Sequence, residues 1–103
     1  MDIPEPVLTR LLSVFGKNHS IDKVYLYGSR ARGDNRPNSD IDLALLGDDI
    51  QLSTITDIQE AAGLYKVDVV NLSEELDGSF SEELDKDVVL IYERESSAAL
   101  PVK

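Results

Sequence analysis

Two short segments carry the residue types that phosphate and metal chemistry use. The first is GSRARG at 28–33, which follows a predicted strand, and the second is SDID at 39–42, which opens the next one. A strand that ends in Gly-Ser and enters a short helix offers backbone N–H groups and a hydroxyl to an anion. Side chains on a strand repeat every second residue, so Asp40 and Asp42 face the same side and can share a divalent cation.

Each segment also has an ordinary structural interpretation, because Gly-Ser dipeptides form turns and Asp is common where strands begin. Two familiar motifs are excluded. A P-loop needs Lys followed by Ser or Thr, where this chain has Asp34-Asn35. An EF-hand beginning at Asp40 needs Gly at its sixth position and Glu at its twelfth, where this chain has Leu45 and Gln51.

A third carboxylate, Asp68, interrupts the otherwise apolar segment VDVV at 67–70. An isolated charge on a central strand is costly to bury. A position at the end of the strand, on the rim of the sheet, avoids that cost without any function.

The surrounding hydrophobic periods predict the elements that must position these residues. Apolar residues spaced three and four apart predict helices, whereas alternating or β-branched runs predict strands. We predict helices over 4–15 and 54–65, strands over 21–27, 40–46 and 67–72, short helical turns at 73–76 and 81–84, and either a strand or a helix over 88–92.

One topology brings the polar segments to a single edge of the sheet. Gly28 and Ser29 meet Asp40 and Asp42 only if the first two strands are antiparallel. Asp68 reaches the same edge only if the second and third strands are parallel, and the helix between them supplies the necessary crossover. We therefore predict an α/β (α+β mixed) fold, a small mixed β-sheet covered by helices. Three carboxylates beside a phosphate cradle suit a pair of Mg²⁺ ions in phosphoryl or nucleotidyl transfer.

The chain has 103 residues, of which 42% are hydrophobic, so one core and one domain are expected. We assign residues 1–93 to a single domain. Residues 94–103 show no hydrophobic period, and we expect them to form a mobile C-terminal tail.

The charge balance and the absence of cysteine exclude several classes of protein. Twenty acidic residues against ten basic ones give a net charge of −10, which opposes direct binding of long nucleic acid. Without cysteine there are no disulfides or thiolate sites, which fits a reducing cytoplasm. No apolar run is long enough to span a membrane, and the N-terminus lacks the basic flank of a signal peptide, so we expect a cytoplasmic protein.

Taken together, GSRARG at 28–33, SDIDL at 39–43 and VDVV at 67–70 resemble the signature of the DNA polymerase β-like nucleotidyltransferase superfamily. The length and the LIYE segment at 90–93 are similar to its smallest members, the minimal nucleotidyltransferases. The resemblance spans about residues 21–93 and implies the polymerase β-like nucleotidyltransferase fold.

The resemblance also implies roles for individual residues. Asp40, Asp42 and Asp68 would be catalytic and would hold two Mg²⁺ ions, with ATP as substrate. Gly28 and Ser29 would bind the terminal phosphates of the nucleotide. Arg30 and Arg32 are candidate phosphate ligands, although solvation on a helix surface explains both arginines equally well.

Minimal nucleotidyltransferases are typically encoded beside a helical HEPN-domain ribonuclease toxin and act as its antitoxin, in some cases by transferring AMP to a toxin tyrosine. The resemblance therefore implies a protein adenylyltransferase in a hetero-oligomer with such a toxin. The acidic composition agrees with a basic partner. Two alternatives remain: a non-catalytic antitoxin that neutralises its partner by forming a complex, and a small-molecule transferase resembling the aminoglycoside nucleotidyltransferases.

Overall fold

The computed structural model describes residues 2–34, 36, 38–72 and 88–94. The helical turns expected at 73–76 and 81–84 lie outside the described residues, as does the expected tail apart from Arg94.

Three helices and four strands make up the described part of the chain. In order they are α1 (Glu5–Lys17), β1 (Ile21–Tyr27), α2 (Ser29–Arg32), β2 (Ile41–Gly47), α3 (Leu52–Ala61), β3 (Val67–Asn71) and β4 (Val89–Glu93). The segment whose type the sequence left open is thus a strand. The expected helices and strands that fall within the described residues are present, with shifted ends at both long helices.

Those shifted ends have local causes. Helix α1 continues two residues beyond the expected end at residue 15, because Asn18 closes it: its N–H donates to the Phe15 carbonyl and its Nδ2 to the Val14 carbonyl. Helix α3 ends four residues early, because the chain turns at Gly63 with a positive φ of 67°. It begins two residues early at Leu52, an exposed residue outside the hydrophobic period.

The sheet has the strand order β3-β2-β1-β4. Strand β1 runs antiparallel to both β2 and β4, whereas β2 and β3 are parallel. The fold is therefore a mixed four-stranded sheet with helices, and the strand directions needed to gather the polar segments at one edge are confirmed.

The core lies between the sheet and the two long helices, which contact each other. Its fully buried side chains include Leu11 and Phe15 from α1, Ile58 from α3, and Leu43 and Leu45 from β2. Phe15 also packs against Tyr92 of β4, with ring centroids 5.5 Å apart. Burial of this apolar stripe fixes the register of β2, so that its acidic residues emerge at the start of the strand.

None of the helices in the described ranges is long and apolar enough to cross a membrane.

Candidate functional site

The end of β1 and the start of β2 meet in a close contact between Gly28 and Asp42. Tyr27, the last residue of β1, pairs with Asp42 in the antiparallel register. Gly28 follows with φ 77° and ψ −157°, a backbone conformation that is essentially restricted to glycine. A Cβ atom on Gly28 would overlap the Asp42 Oδ2 and lie 3.3 Å from its Cγ. The carboxylate therefore occupies space that only glycine leaves open.

The three aspartates predicted to act together lie at this edge of the sheet. Asp42 is directly opposite Asp68 in the parallel register of β2 and β3, and Asp40 immediately precedes β2. The pKa of the Asp42 carboxyl is raised above its ordinary value, first by burial and then by the negative charges of Asp68 and Asp40. Arg32 acts in the opposite direction and lowers it. The carboxylates are thus close enough to repel one another.

Carboxylate oxygens are the ligands that Mg²⁺ prefers, and a divalent cation would relieve the repulsion that raises the pKa of Asp42. Within the described ranges, no three His, Cys, Asp or Glu side chains already form a group able to hold a metal ion. The donor chemistry of Asp40, Asp42 and Asp68 therefore fits a divalent cation, while the side chains do not by themselves form a closed coordination shell.

Ser29 lies beside these carboxylates, where β1 passes into α2 through Gly28. The Ser29 carbonyl accepts hydrogen bonds from the N–H groups of Gly33 and Asp34, at 2.8 and 3.2 Å, which closes the short helix. Neither the Ser29 hydroxyl nor its N–H is hydrogen-bonded to another described residue. Both groups are thus available to an anion such as a phosphate.

The two arginines of this segment have different surroundings. Residues two apart on a helix point to nearly opposite sides. Arg32 is exposed, and its Nε lies 3.1 Å from the Asp34 carboxylate. Arg30 is only 2% exposed, so solvation on the helix surface, one of the two explanations offered for it above, is wrong for this residue.

Arg30 is instead held inside the protein. Its Nε and Nη2 donate to the Ser39 carbonyl at 3.1 and 2.9 Å, and its Nη1 donates to the Asp2 carbonyl at 3.0 Å. The guanidinium carbon also lies 5.2 Å from the centre of the Tyr65 ring. With these donors directed at carbonyls, Arg30 is less well placed than Arg32 to bind a phosphate.

Sequence reasoning missed the structural parts played by Ser39 and Tyr65. The Ser39 hydroxyl accepts a hydrogen bond from the Arg36 N–H at 2.8 Å, which shapes the turn before Asp40. Tyr65 is the last residue of the helix expected over 54–65, but it lies beyond the end of α3, and the Arg30 guanidinium lies over its ring. The sequence carries one indirect signal for the buried position of Arg30. Arg30 and Arg32 are two residues apart on a helix, so their side chains cannot both face the same ligand.

Comparison with known proteins places this arrangement in context. The sequence model of the family described as "Polymerase beta, Nucleotidyltransferase" matches residues 9–97, most of the chain. No curated protein matches the chain closely enough to count as a relative.

Several solved structures share the fold. A chain in the crystal structure of a toxin-antitoxin with AMP-PNP superposes with a TM-score of 0.68 at 22% identity, covering 85% of this chain and 74% of that one. An MntA-HpeT toxin-antitoxin mutant with two Asp-to-Glu changes gives 0.67 at 19% identity, covering 85% and 74%. A Tyr-to-Ala mutant of MntA-HpeT gives 0.64 at 21% identity, covering 91% and 76%. At these identities the likeness shows a shared fold.

Proposed function

Because the chain belongs to the polymerase beta nucleotidyltransferase family, we propose that it transfers AMP from ATP to a hydroxyl group of a toxin protein and thereby acts as an antitoxin. The observation that carries the proposal is the meeting of Gly28, Asp42 and Asp68 at one edge of the sheet. This meeting places Ser29, which follows Gly28 and whose hydroxyl and N–H are not hydrogen-bonded to another described residue, next to mutually repelling carboxylates.

The residues divide into two groups by their chemistry. Asp40, Asp42 and Asp68 would hold two Mg²⁺ ions, which neutralise the triphosphate and polarise the attacking and leaving oxygens when bound. The hydroxyl and N–H of Ser29 bind the terminal phosphates, since no described residue occupies them. Arg32 supplies positive charge on the exposed side of α2.

The reaction is an in-line displacement at the α-phosphorus. The acceptor oxygen forms a bond to that phosphorus, the bond to the pyrophosphate oxygen breaks, and pyrophosphate leaves. The proton of the acceptor hydroxyl must be removed as the new bond forms. Asp68 is exposed at the start of β3, where it can accept this proton from an approaching protein.

A protein partner is supported by two separate observations. The similar structures described above are toxin-antitoxin complexes. The net charge of −10 favours association with a basic protein over association with nucleic acid. We propose a HEPN-type ribonuclease toxin as the partner, with a tyrosine hydroxyl as the acceptor, in a cytoplasmic hetero-oligomer.

A second candidate function is neutralisation by binding alone. It is favoured by the toxin-antitoxin structures that share the fold, because a toxin can be neutralised by a bound antitoxin without nucleotide transfer. In that case complex formation would suffice, and the nucleotide site would not be needed for neutralisation.

The experiment that separates these candidates uses the partner itself. The tagged protein is expressed in its native host, the co-purifying protein is recovered, and its intact mass is measured before and after incubation with Mg-ATP. The partner is first treated with phosphodiesterase, so that it starts unmodified. The wild type is compared with D42N and with D57N, which makes the same chemical change at an exposed position on α3.

We expect the partner's mass to increase by whole AMP units with the wild type and D57N, and to stay constant with D42N. A stable complex with no mass change for any variant would contradict transfer and support neutralisation by binding. Modification of aminoglycosides, with none of any protein, would instead indicate the small-molecule transferase.

A further inference from the structure

Arg30 is the one charged residue among the described residues that is buried, with 2% of its surface exposed. Removing a guanidinium from water is costly unless its donors find well-aligned acceptors. Here three donor atoms are satisfied by two backbone carbonyls, at distances of 2.9 to 3.1 Å. The guanidinium carbon lies over the Tyr65 ring, 5.2 Å from its centre.

These contacts join three segments that carry the proposed site. Arg30 itself follows Ser29, the proposed phosphate ligand, in the first turn of α2. The carbonyl that receives two of its hydrogen bonds belongs to Ser39, directly before Asp40. Tyr65 lies two residues before β3 begins, and Asp68 is the second residue of that strand.

Two backbone hydrogen bonds reinforce this junction. The Ile41 N–H donates to the Lys66 carbonyl at 2.8 Å, which holds the starts of β2 and β3 together. The Asp2 N–H donates to the Arg30 carbonyl at 2.9 Å, while the Arg30 side chain donates back to the Asp2 carbonyl. The segment before α1 is therefore joined to Arg30 through both the backbone and the side chain of that residue.

We propose that Arg30 is a positioning residue. It holds the Ser29 turn, the Asp40–Asp42 segment and the start of β3 at the separations that a magnesium nucleotide requires. The inference rests on the proposed function. It assigns Arg30 a part that differs from that of Arg32, which is exposed, pairs with Asp34 and lowers the pKa of Asp42 through its charge.

Arginine suits this position because its planar guanidinium directs several N–H donors outward in a fixed fork, and its flat face stacks on an aromatic ring. Lysine keeps the charge but is a point donor on a flexible stem, so it cannot hold the Ser39 and Asp2 carbonyls and the Tyr65 ring together. The substitution R30K therefore separates geometry from charge.

The test measures binding of Mg-AMP-PNP by calorimetry at a temperature where circular dichroism shows each variant folded. We expect R30K to bind about 10- to 100-fold more weakly than the wild type, because a misplacement of about 1 Å in a reacting geometry can cost about 100-fold in rate, and we expect loss of the same geometry to weaken nucleotide binding by up to that factor. The control is T54V, which removes another buried hydrogen bond, that of Thr54 to the Asn18 side chain, at the opposite end of β1. We expect T54V to bind as the wild type does.

A second pair of variants keeps the test decisive if R30K does not fold. Y65L removes the ring beneath the guanidinium, whereas Y65F retains the ring and removes only the hydroxyl. Weaker binding by Y65L with rescue in Y65F would support the proposal. The proposal would be overturned if R30K bound Mg-AMP-PNP within two-fold of the wild-type affinity. If R30K is unfolded, the same result for Y65L would overturn it.

Amide hydrogen exchange separates failure of this inference from failure of the proposed function. We expect R30K, or Y65L in its place, to accelerate exchange at the amides of Ser39 and Ile41, whereas T54V does not. If the wild type binds no magnesium nucleotide, the proposed function fails. Hydrogen exchange at the Ser39 and Ile41 amides then tests by itself whether Arg30 positions these segments. Unchanged exchange at Ser39 and Ile41 would overturn that role in either case.

Discussion

Replacement of Gly28 by alanine perturbs the backbone and the proposed metal site at the same time. The φ of 77° and ψ of −157° at Gly28 lie in a region that side chains with a Cβ essentially avoid. The added Cβ would also overlap the Asp42 Oδ2 and lie 3.6 Å from the Asp42 Cβ. Because the obstructing atoms belong to a short side chain on a central strand, the Asp42 carboxylate must leave its position.

The backbone conformation alone sets the expected loss of thermal stability. A residue held in such a conformation costs about 1–3 kcal/mol. For a domain of about 100 residues, 1 kcal/mol lowers the melting temperature by roughly 4–8 °C. With a central value of about 2 kcal/mol, G28A should therefore melt roughly 8–16 °C below the wild type.

The assay compares thermal unfolding and Mg-AMP-PNP affinity in the wild type, G28A and G33A. Gly33 also has a positive φ, of 90°, but no atom lies within 4 Å of its added Cβ. G33A thus carries backbone strain without displacing Asp42. We expect G28A to lose nucleotide affinity and G33A to retain it when both are folded.

A double-mutant cycle isolates the contact itself. In a D42A background the obstructing carboxylate is absent, so G28A should cost less stability there than in the wild type, by about 0.5–3 kcal/mol. Equal costs in the two backgrounds, together with unchanged nucleotide affinity in G28A, would refute the reasoning that Gly28 makes room for Asp42.

Three further predictions concern charge and packing. D42N should melt above the wild type at pH 7, and this gain should shrink as the pH falls toward 3.8. Because the pKa is raised, the folded protein binds the Asp42 proton more tightly than the unfolded chain does, and ionisation of Asp42 at higher pH lowers the stability of the wild type. A stability difference between D42N and the wild type that grows as the pH falls would contradict this. R32A should raise the pKa of Asp42 further, as a carboxyl NMR titration would show, and an unchanged pKa would exclude the charge effect of Arg32. F15A should lower the free energy of unfolding by about 3–5 kcal/mol in urea titrations, because Phe15 is fully buried, while folded F15A retains wild-type nucleotide affinity.

Much of the fold could be predicted because hydrophobic period and topology agree. The strand residues Ile41, Leu43 and Leu45 alternate with polar or smaller neighbours, and all three are fully buried. A parallel pairing of β2 and β3 requires a crossover, which the helix predicted between them can supply, and this pairing places Asp42 opposite Asp68. The ends of the two long helices are predicted less accurately than the strands. They depend on the positive φ at Gly63 and on the turn at Asn18, which the hydrophobic period does not reveal.

The sequence predicts which residues belong to the candidate site, but it does not predict the contacts between them. The sequence motifs identify both Asp42 and Gly28, but the packing of one against the other depends on a backbone conformation that no pattern encodes. Arg30 illustrates the limit most clearly. Its carbonyl partners, Asp2 and Ser39, lie 28 and 9 residues away, and neither carries a side-chain signal for an arginine.

The most direct test of the central claim follows the fate of labelled ATP. The purified protein and its dephosphorylated, phosphodiesterase-treated partner are incubated with Mg-ATP labelled on either the α- or the γ-phosphate, with D42N and D57N alongside the wild type. Nucleotidyl transfer predicts that only the α-label enters the partner, with the wild type and D57N and not with D42N. Incorporation of the γ-label, or equal α-label incorporation with D42N, would contradict a nucleotidyltransferase site built on Asp42.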